Sequence, residues 1–318
     1  VKPATKRRAC SYVELVASGS QPPKWFVSHW WGEAVSDFLK CLEHHSFLRH
    51  LTEVIAYWVC AYANNQWKLD QEIQEDPATT SFRKAMDLSV GTLSVVDGGA
   101  ITFTRIWCSY EIATTLQSGG AKHYDIATSF AETAVALTDG LTPEDETQGA
   151  RAEWKHRGGA QGHKLQREKS FPLSVFEAAF GVKLEKGKAS EEKDRIRILN
   201  SIAARSLDLE PQEVHTNYNT ANDTLRWRFG MGFLHVAEEL GLLNHYKILD
   251  IPEPTGMQNH DLDKAYTKLQ SAFSALAKCN LALAMSAKSL AIRLHALGDE
   301  HPKVGATYNN IANVYIKQ

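Results

Sequence analysis

The segment Trp107-Cys108-Ser109-Tyr110-Glu111 sets an indole and a carboxyl group four residues apart. On a helix, positions i and i+4 share one face. An indole packed beside a carboxyl strips water from it, alters its acidity and holds it where a substrate can meet it. The competing explanation is a helix with a core tryptophan and an exposed glutamate.

Other clusters fall short of a defined chemistry. Gly230-Met231-Gly232 lacks the third glycine of a dinucleotide fingerprint, and Gly158 to Lys164 misses the spacing of a phosphate loop. Cys41, His44 and His45 lie within one helical turn, with His50 in the next. A zinc site would need further convergent soft ligands, so these read as surface histidines beside a core cysteine. No nucleophile elbow of the Gly-x-Ser-x-Gly kind occurs. No metal or bound cofactor is expected.

The elements that must position Glu111 alternate in type. Lys24 to His29 predicts a strand that breaks at Trp30-Trp31-Gly32, followed by a helix over Val35 to Leu51. Tyr57 to Ala63 is apolar on both faces and predicts a central, buried strand of a parallel sheet. A helix over Ser81 to Ser89, opened by Thr79, Thr80 or Ser81, leads to a strand over Thr92 to Asp97. A helix from Arg105 to Leu116, closing on Gly119-Gly120, precedes a weaker strand over His123 to Thr128. Strands separated by helices imply parallel crossovers and a doubly wound α/β sheet, whose ligands bind at the carboxyl edge. The strand ending in Asp97-Gly98-Gly99 brings the Glu111 helix to that edge.

Downstream, Thr138 to Ser170 is polar and reads as a long loop or insertion. Helices are expected over Ser174 to Phe180, Glu191 to Ala204, and from Thr220 or Asn222 to Leu240, the last interrupted near Gly230 and Gly232. Pro252, Pro254 and Gly256 mark a boundary. Beyond it come two helical patterns, Asp263 to Lys278 and Asn280 to Leu297, and a third helix starts near Val304.

The 318 residues allow about two domains. Apolar residues make up 43% and charged residues 23%, the proportions of a globular chain rather than a disordered one. A net charge of −2 gives no general attraction to nucleic acid or to an anionic membrane. The longest apolar run, Val54 to Ala63, is too short to span a bilayer. Five scattered cysteines without a CxxC pair read as reduced thiols in a cytoplasmic protein. The start, Val1-Lys2-Pro3, has neither an initiator methionine nor an apolar signal core and reads as internal to a longer chain.

Lys24-Trp25-Phe26-Val27-Ser28-His29, Ser94-Val95-Val96-Asp97 and Arg105-Ile106-Trp107-Cys108-Ser109-Tyr110-Glu111 together resemble the TIR-domain family in divergent form. They correspond to its first strand, a later strand and its Trp-Cys-x-x-Glu helix motif. The resemblance covers residues 20–135 and implies a flavodoxin-like parallel sheet. It implies that Glu111 is catalytic in cleaving NAD+ at the nicotinamide-ribosyl bond. His29, Trp30, Trp31, Gly32, Asp97 and Trp107 would contact the substrate, the tryptophans by stacking on a base. The chain departs from the family at Trp30-Trp31-Gly32-Glu33, around Asn64-Asn65-Gln66, and in the stretch after Thr138. Residues 136–255 are taken as an insertion and helical linker.

Residues 261–318 resemble tetratricopeptide repeats of the kinesin-light-chain type, through Ala287 to Arg293, Leu297-Gly298-Asp299-Glu300-His301-Pro302 and Tyr308-Asn309-Asn310-Ile311-Ala312. This mainly helical region would begin a TPR solenoid that continues past Gln318 and leaves an apolar face on its last helix. The combined expectation is an NAD+ glycohydrolase and signalling module that self-associates through its TIR-like domain and captures a protein partner through its repeats. The alternatives are a non-catalytic TIR-TPR adaptor, acting by self-association and protein binding, and a nucleotide sensor that binds without turnover.

Overall fold

The structure, a computed structural model, describes residues 1–69, 76–117, 122–239, 259–275 and 277–318. The chain groups into two compact units. One comprises residues 1–139 and 170–255, the other residues 140–169 and 256–318.

The first unit is built on a five-stranded α/β sheet. Its strands are β1 (Pro23–His29), β2 (Ala56–Val59), β3 (Gly91–Val95), β4 (His123–Phe130) and β5 (Thr133–Leu137), in the spatial order β2-β1-β3-β4-β5. The pairs β1–β2, β1–β3 and β3–β4 are parallel, and β4–β5 is antiparallel. Helix α1 (Val35–Leu48) covers β4 and β5, whereas α2 (Ser81–Leu88) and α3 (Ile106–Leu116) pack against β1, α3 also reaching β3 and β4. Alternation along β1 feeds both layers: Trp25 and Val27 join the core that includes Phe38, Leu48 and Leu93, while Phe26 packs with Phe82 and Met86. Gly91 permits this packing, since a Cβ there would lie 2.7 Å from the Trp25 ring and from the His123 carbonyl oxygen.

The expected parallel sheet flanked by helices is present, with two corrections. The strand over Tyr57 to Ala63 is neither central nor continuous. β2 lies at the sheet edge, pairs only with β1 and gives way at Cys60 to a short helix, Cys60–Ala63. Most of β2 is only half-buried, because an edge strand has a neighbour on one side alone. The stretch from Thr138 to Ser170 is not a loop. It holds α4 (Pro143–Gly149) and α5 (Gly159–Glu168), and α4 opens with a capping box between Thr142 and Asp145.

The β4–β5 hairpin had no sequence signal. Phe130 pairs with Thr133 across Ala131 and Glu132, whose φ angles of 48° and 67° place both in the left-handed region. That is a type I′ turn made without the usual asparagine or glycine.

A helical segment completes this unit. α6 (Leu173–Phe180) packs on α8 (Thr216–Glu239), and α7 (Glu192–Ile202) and α8 pack on α3. Phe103 meets Phe229 edge-on at 5.7 Å, and the Ile106 amide donates to the Lys188 carbonyl at 2.9 Å. α8 runs unbroken through Gly230 and Gly232, where an interruption was expected. The closing Gly119-Gly120 and the boundary at Pro252, Pro254 and Gly256 lie outside the described residues, as does Leu240.

In the second unit α9 (Asn259–Ala275), α10 (Cys279–Leu297) and α11 (Pro302–Lys317) pack in succession, and α9 also touches α5. Arg293 ties the three helices together. Its guanidinium donates to Asp263 Oδ1 at 2.7 Å, Thr267 Oγ1 at 2.9 Å and Thr307 Oγ1 at 2.6 Å. On α11 only Val304, Thr307 and Val314 are buried, and Tyr308, Tyr315 and Ile316 are exposed. Among the described residues no helix is long and apolar enough to cross a membrane.

Candidate functional site

The sheet reverses its winding between β1 and β3. The chain leaves β1 toward β2 on one side and enters β3 on the other, so the carboxyl ends of these two strands form the switch point at which doubly wound sheets carry their ligand crevice. Residues from three loops and from α3 converge there.

β1 ends in Ser28 and His29, which point to opposite faces, as successive strand residues must. Trp30-Trp31-Gly32-Glu33 then turns the chain, with the Glu33 amide donating to the Trp30 carbonyl at 3.2 Å. The Trp30 ring packs against Gly32, where a Cβ would fall 2.3 Å from it and displace the ring. β3 ends before Asp97, whose carboxylate accepts from the amides of Ile101 at 2.8 Å and Gly99 at 3.1 Å. Asp97 therefore shapes the turn into α3, and Ala100 adopts a left-handed φ of 53° within it.

Glu111 is the centre of the arrangement. It is only 4% exposed, and its Oε2 atom is sealed from solvent with no hydrogen-bond partner. Burial pushes its carboxyl up to about 8, opposed by the nearby Ser28 hydroxyl. Ser28 is 1% exposed, and its Oγ likewise lacks a partner of proper geometry. The thiols of Cys60 and Cys108 lie close to Glu111. Burial and then the Glu111 charge raise Cys60 to about 12 and push Cys108 up as well. The Cys108 thiol also points to the His29 carbonyl oxygen at 3.7 Å. Trp31, 59% exposed, extends over Cys60 and donates from Nε1 to Sγ at 3.0 Å.

A second group of acids stands on the α1 side. Glu33 is raised to about 8 by burial and by the charges of Asp97 and Asp37, and its Oε2 has no partner. His29, whose ring lies 4.7 Å from that of Phe38, is driven down to about 4 by burial, and its Nε2 is also unpartnered. Asp37 accepts from Ser129 and Lys40. Among the described residues no group of histidine, cysteine or acidic side chains is arranged to hold a metal ion.

Trp107 faces α2 and α7. Its ring stacks on Phe82 at 5.1 Å, and its Nε1 donates to Asp194 at 3.3 Å. The pattern of a core tryptophan and an exposed glutamate is thus reversed, since Trp107 is half-buried and Glu111 is buried. The crevice assembles Glu111, Trp31, Gly32, His29 and Asp97 around the ends of β1 and β3. Sequence reasoning missed Ser28, Cys60, Cys108 and Glu33. Ser28 was detectable as the position in β1 facing opposite to His29, but the approach of Cys60 depends on where β2 ends.

His45 corrects another expectation. It is fully buried, bonding Tyr57 Oη at 2.7 Å through Nδ1 and Asp125 Oδ2 at 2.9 Å through Nε2. Arg49 donates to both Asp125 oxygens, at 2.9 and 2.7 Å, and lies 5.4 Å from the Trp25 ring centroid. The Asp139 amide adds a further bond of 2.7 Å to Asp125. Burial alone would raise Asp125, but Arg49 and His45 hold its carboxyl well below the ordinary range. Asp125 lies toward the amino end of β4, remote from the crevice along the strands, and its carboxylate is fully engaged.

No protein-family model, curated protein or solved structure matches the chain. The functional reading therefore rests on the crevice itself.

Proposed function

We propose that the crevice binds NAD+ and that Glu111 promotes cleavage of its nicotinamide-ribosyl bond. One observation carries this reading: a buried carboxyl with an unpartnered oxygen at the winding reversal of a doubly wound sheet. A buried polar atom left unsatisfied needs a reason, and a ligand group is one. Among the described residues no lysine or arginine hydrogen-bonds to Glu111, so a cationic substrate would supply the missing counter-charge. The pyridinium of NAD+ is such a cation, and its approach would favour the ionised carboxylate.

As the glycosidic bond breaks, the electrons leave with nicotinamide, which departs neutral, and positive charge gathers on the ribosyl ring. A carboxylate within a water-poor cleft stabilises that charge more strongly than it would in water. Water then adds to the ring carbon and loses a proton, giving ADP-ribose. Trp31 would present an indole face to a base at the mouth of the crevice. The likeness of the β1, β3 and α3 motifs to TIR domains supports the same chemistry. The test is nicotinamide release from NAD+ by concentrated or artificially clustered protein, with Glu111→Gln as control.

A non-catalytic adaptor is the second reading, favoured by the exposed Tyr308, Tyr315 and Ile316 on α11. Absence of nicotinamide release even from clustered protein would select it.

A further inference from the structure

We infer that the helices of the second unit hold one internal water molecule, which bridges Gln270 on α9 to Asn310 on α11. A partly open cavity of about 170 Å³ lies among α9, α10 and α11, and the side chains lining it are all polar. With the solvent at its mouth discounted, it has room for about one water molecule. Neither the crevice nor the nucleotide reading bears on this site.

Gln270 is the residue that points to a ligand. It is 6% exposed and lines the cavity, yet among the described residues its carboxamide has no hydrogen bond. An enclosed carboxamide left without partners is costly, so the group that relieves it should enter the cavity. Asn310 lines the same cavity from α11, and its carboxamide also has no hydrogen bond among the described residues.

The lining selects the kind of ligand. Arg293 is the only charged side chain at the cavity, and Asp263 meets its charge at 2.7 Å. Three further bonds, to the Lys303 carbonyl, Thr307 and Thr267, leave its guanidinium a single free N–H. An anion would find little unmatched positive charge there, and a cation would find no carboxylate in the lining. Each carboxamide offers N–H donors and a carbonyl acceptor, and the Ser286 hydroxyl, which donates to the Ala282 carbonyl, can still accept. Water gives and takes two hydrogen bonds each way, which matches a mixed set of donors and acceptors in a space of one molecule. Because α9 packs on α10 and α10 on α11, a water so held would tie the first helix to the third beside the Arg293 bonds.

A high-resolution crystal structure of the full chain, grown from bromide, should show one water within hydrogen-bond distance of both carboxamides and no anomalous signal in the cavity. In solution the Gln270 side-chain NH2 group should show a cross-peak to a long-lived water, with Gln270→Met identifying its resonances. Asn310→Ala removes one side of the bridge and should abolish that cross-peak, while the circular dichroism spectrum stays unchanged. An anomalous peak would make this an anion site, and a direct bond between the two carboxamides would satisfy them without water. Either result overturns the inference, as does a cavity with no bound water or a cross-peak that survives Asn310→Ala.

Discussion

Trp31 and Cys60, twenty-nine residues apart, are joined by a 3.0 Å contact from the indole N–H to the thiol sulfur. Sulfur is a weak acceptor, and the rest of the indole is largely exposed, so little holds the ring in place. The contact joins the loop after β1 to the end of β2, at the thiol that feels the Glu111 charge.

Replacing Trp31 with alanine should therefore change stability by no more than about 1 kcal/mol, the range of a surface substitution. It should increase the rate at which a thiol reagent reaches Cys60. If the indole stacks on a base, KM for NAD+ should rise more than kcat falls. Stopped-flow thiol labelling and steady-state kinetics read the two effects separately.

Glu111→Gln keeps shape and removes charge. Nicotinamide release should fall at least a hundredfold, corresponding to about 3 kcal/mol of lost stabilisation of the developing cation. The far-ultraviolet circular dichroism spectrum should be unchanged. Equal release by both proteins would remove Glu111 from the chemistry.

The pH dependence of stability has a sign fixed by the same residue. Glu111 titrates near 8 in the folded chain and near ~4.3 when unfolded. Between these values the native state holds the extra proton, so stability should decline as pH rises through the window and level off above it. One such group contributes a slope of at most about 1.4 kcal/mol per pH unit. Glu33, also raised to about 8, acts in the same direction. His29, lowered to about 4, acts oppositely, costing stability as pH falls from about 6.5. Urea midpoints between pH 5 and 9 should show the decline in the wild type and a shallower one in Glu111→Gln. Turnover should rise toward pH 8, because the ionised carboxylate is the form that stabilises a cation.

The buried group around Asp125 gives a stability prediction independent of the crevice. Arg49→Ala would leave Asp125 and its partners enclosed with an uncompensated charge, which costs about 3–5 kcal/mol. The thermal midpoint should drop by many degrees, and nicotinamide release measured well below it should be largely retained. A midpoint close to that of the wild type would show that the network adds little.

The parts of this protein legible in its sequence are those governed by local rules. Helix α2 begins after Thr80, whose hydroxyl caps Arg83, and β1, β3 and α3 follow their apolar patterns closely. The position of β2 was not legible, because an unbroken apolar run does not tell a central strand from an edge strand passing into a helix. The β4–β5 turn was hidden because alanine and glutamate rarely occupy left-handed positions. α4 and α5 were hidden by polarity, with Asp145 held by Thr142, His163 and Arg167 where apolar packing would otherwise announce a helix. Glu111 stood out through its motif and Ser28 through strand alternation, whereas Cys60 and Glu33 reach the crevice only by topology.

The packing of α7 and α8 on α3 has a practical consequence for trimming the chain. A fragment ending soon after β5 would keep every strand, yet it would lose the Phe229 ring from Phe103, the Asp194 carboxylate from Trp107 and the Lys188 carbonyl from the first turn of α3. The bared surface is aromatic and adjoins the helix that carries Glu111, so such a fragment should be recovered as inclusion bodies or soluble aggregates. A fragment that keeps those contacts runs at least through α8, about a hundred residues beyond the last strand.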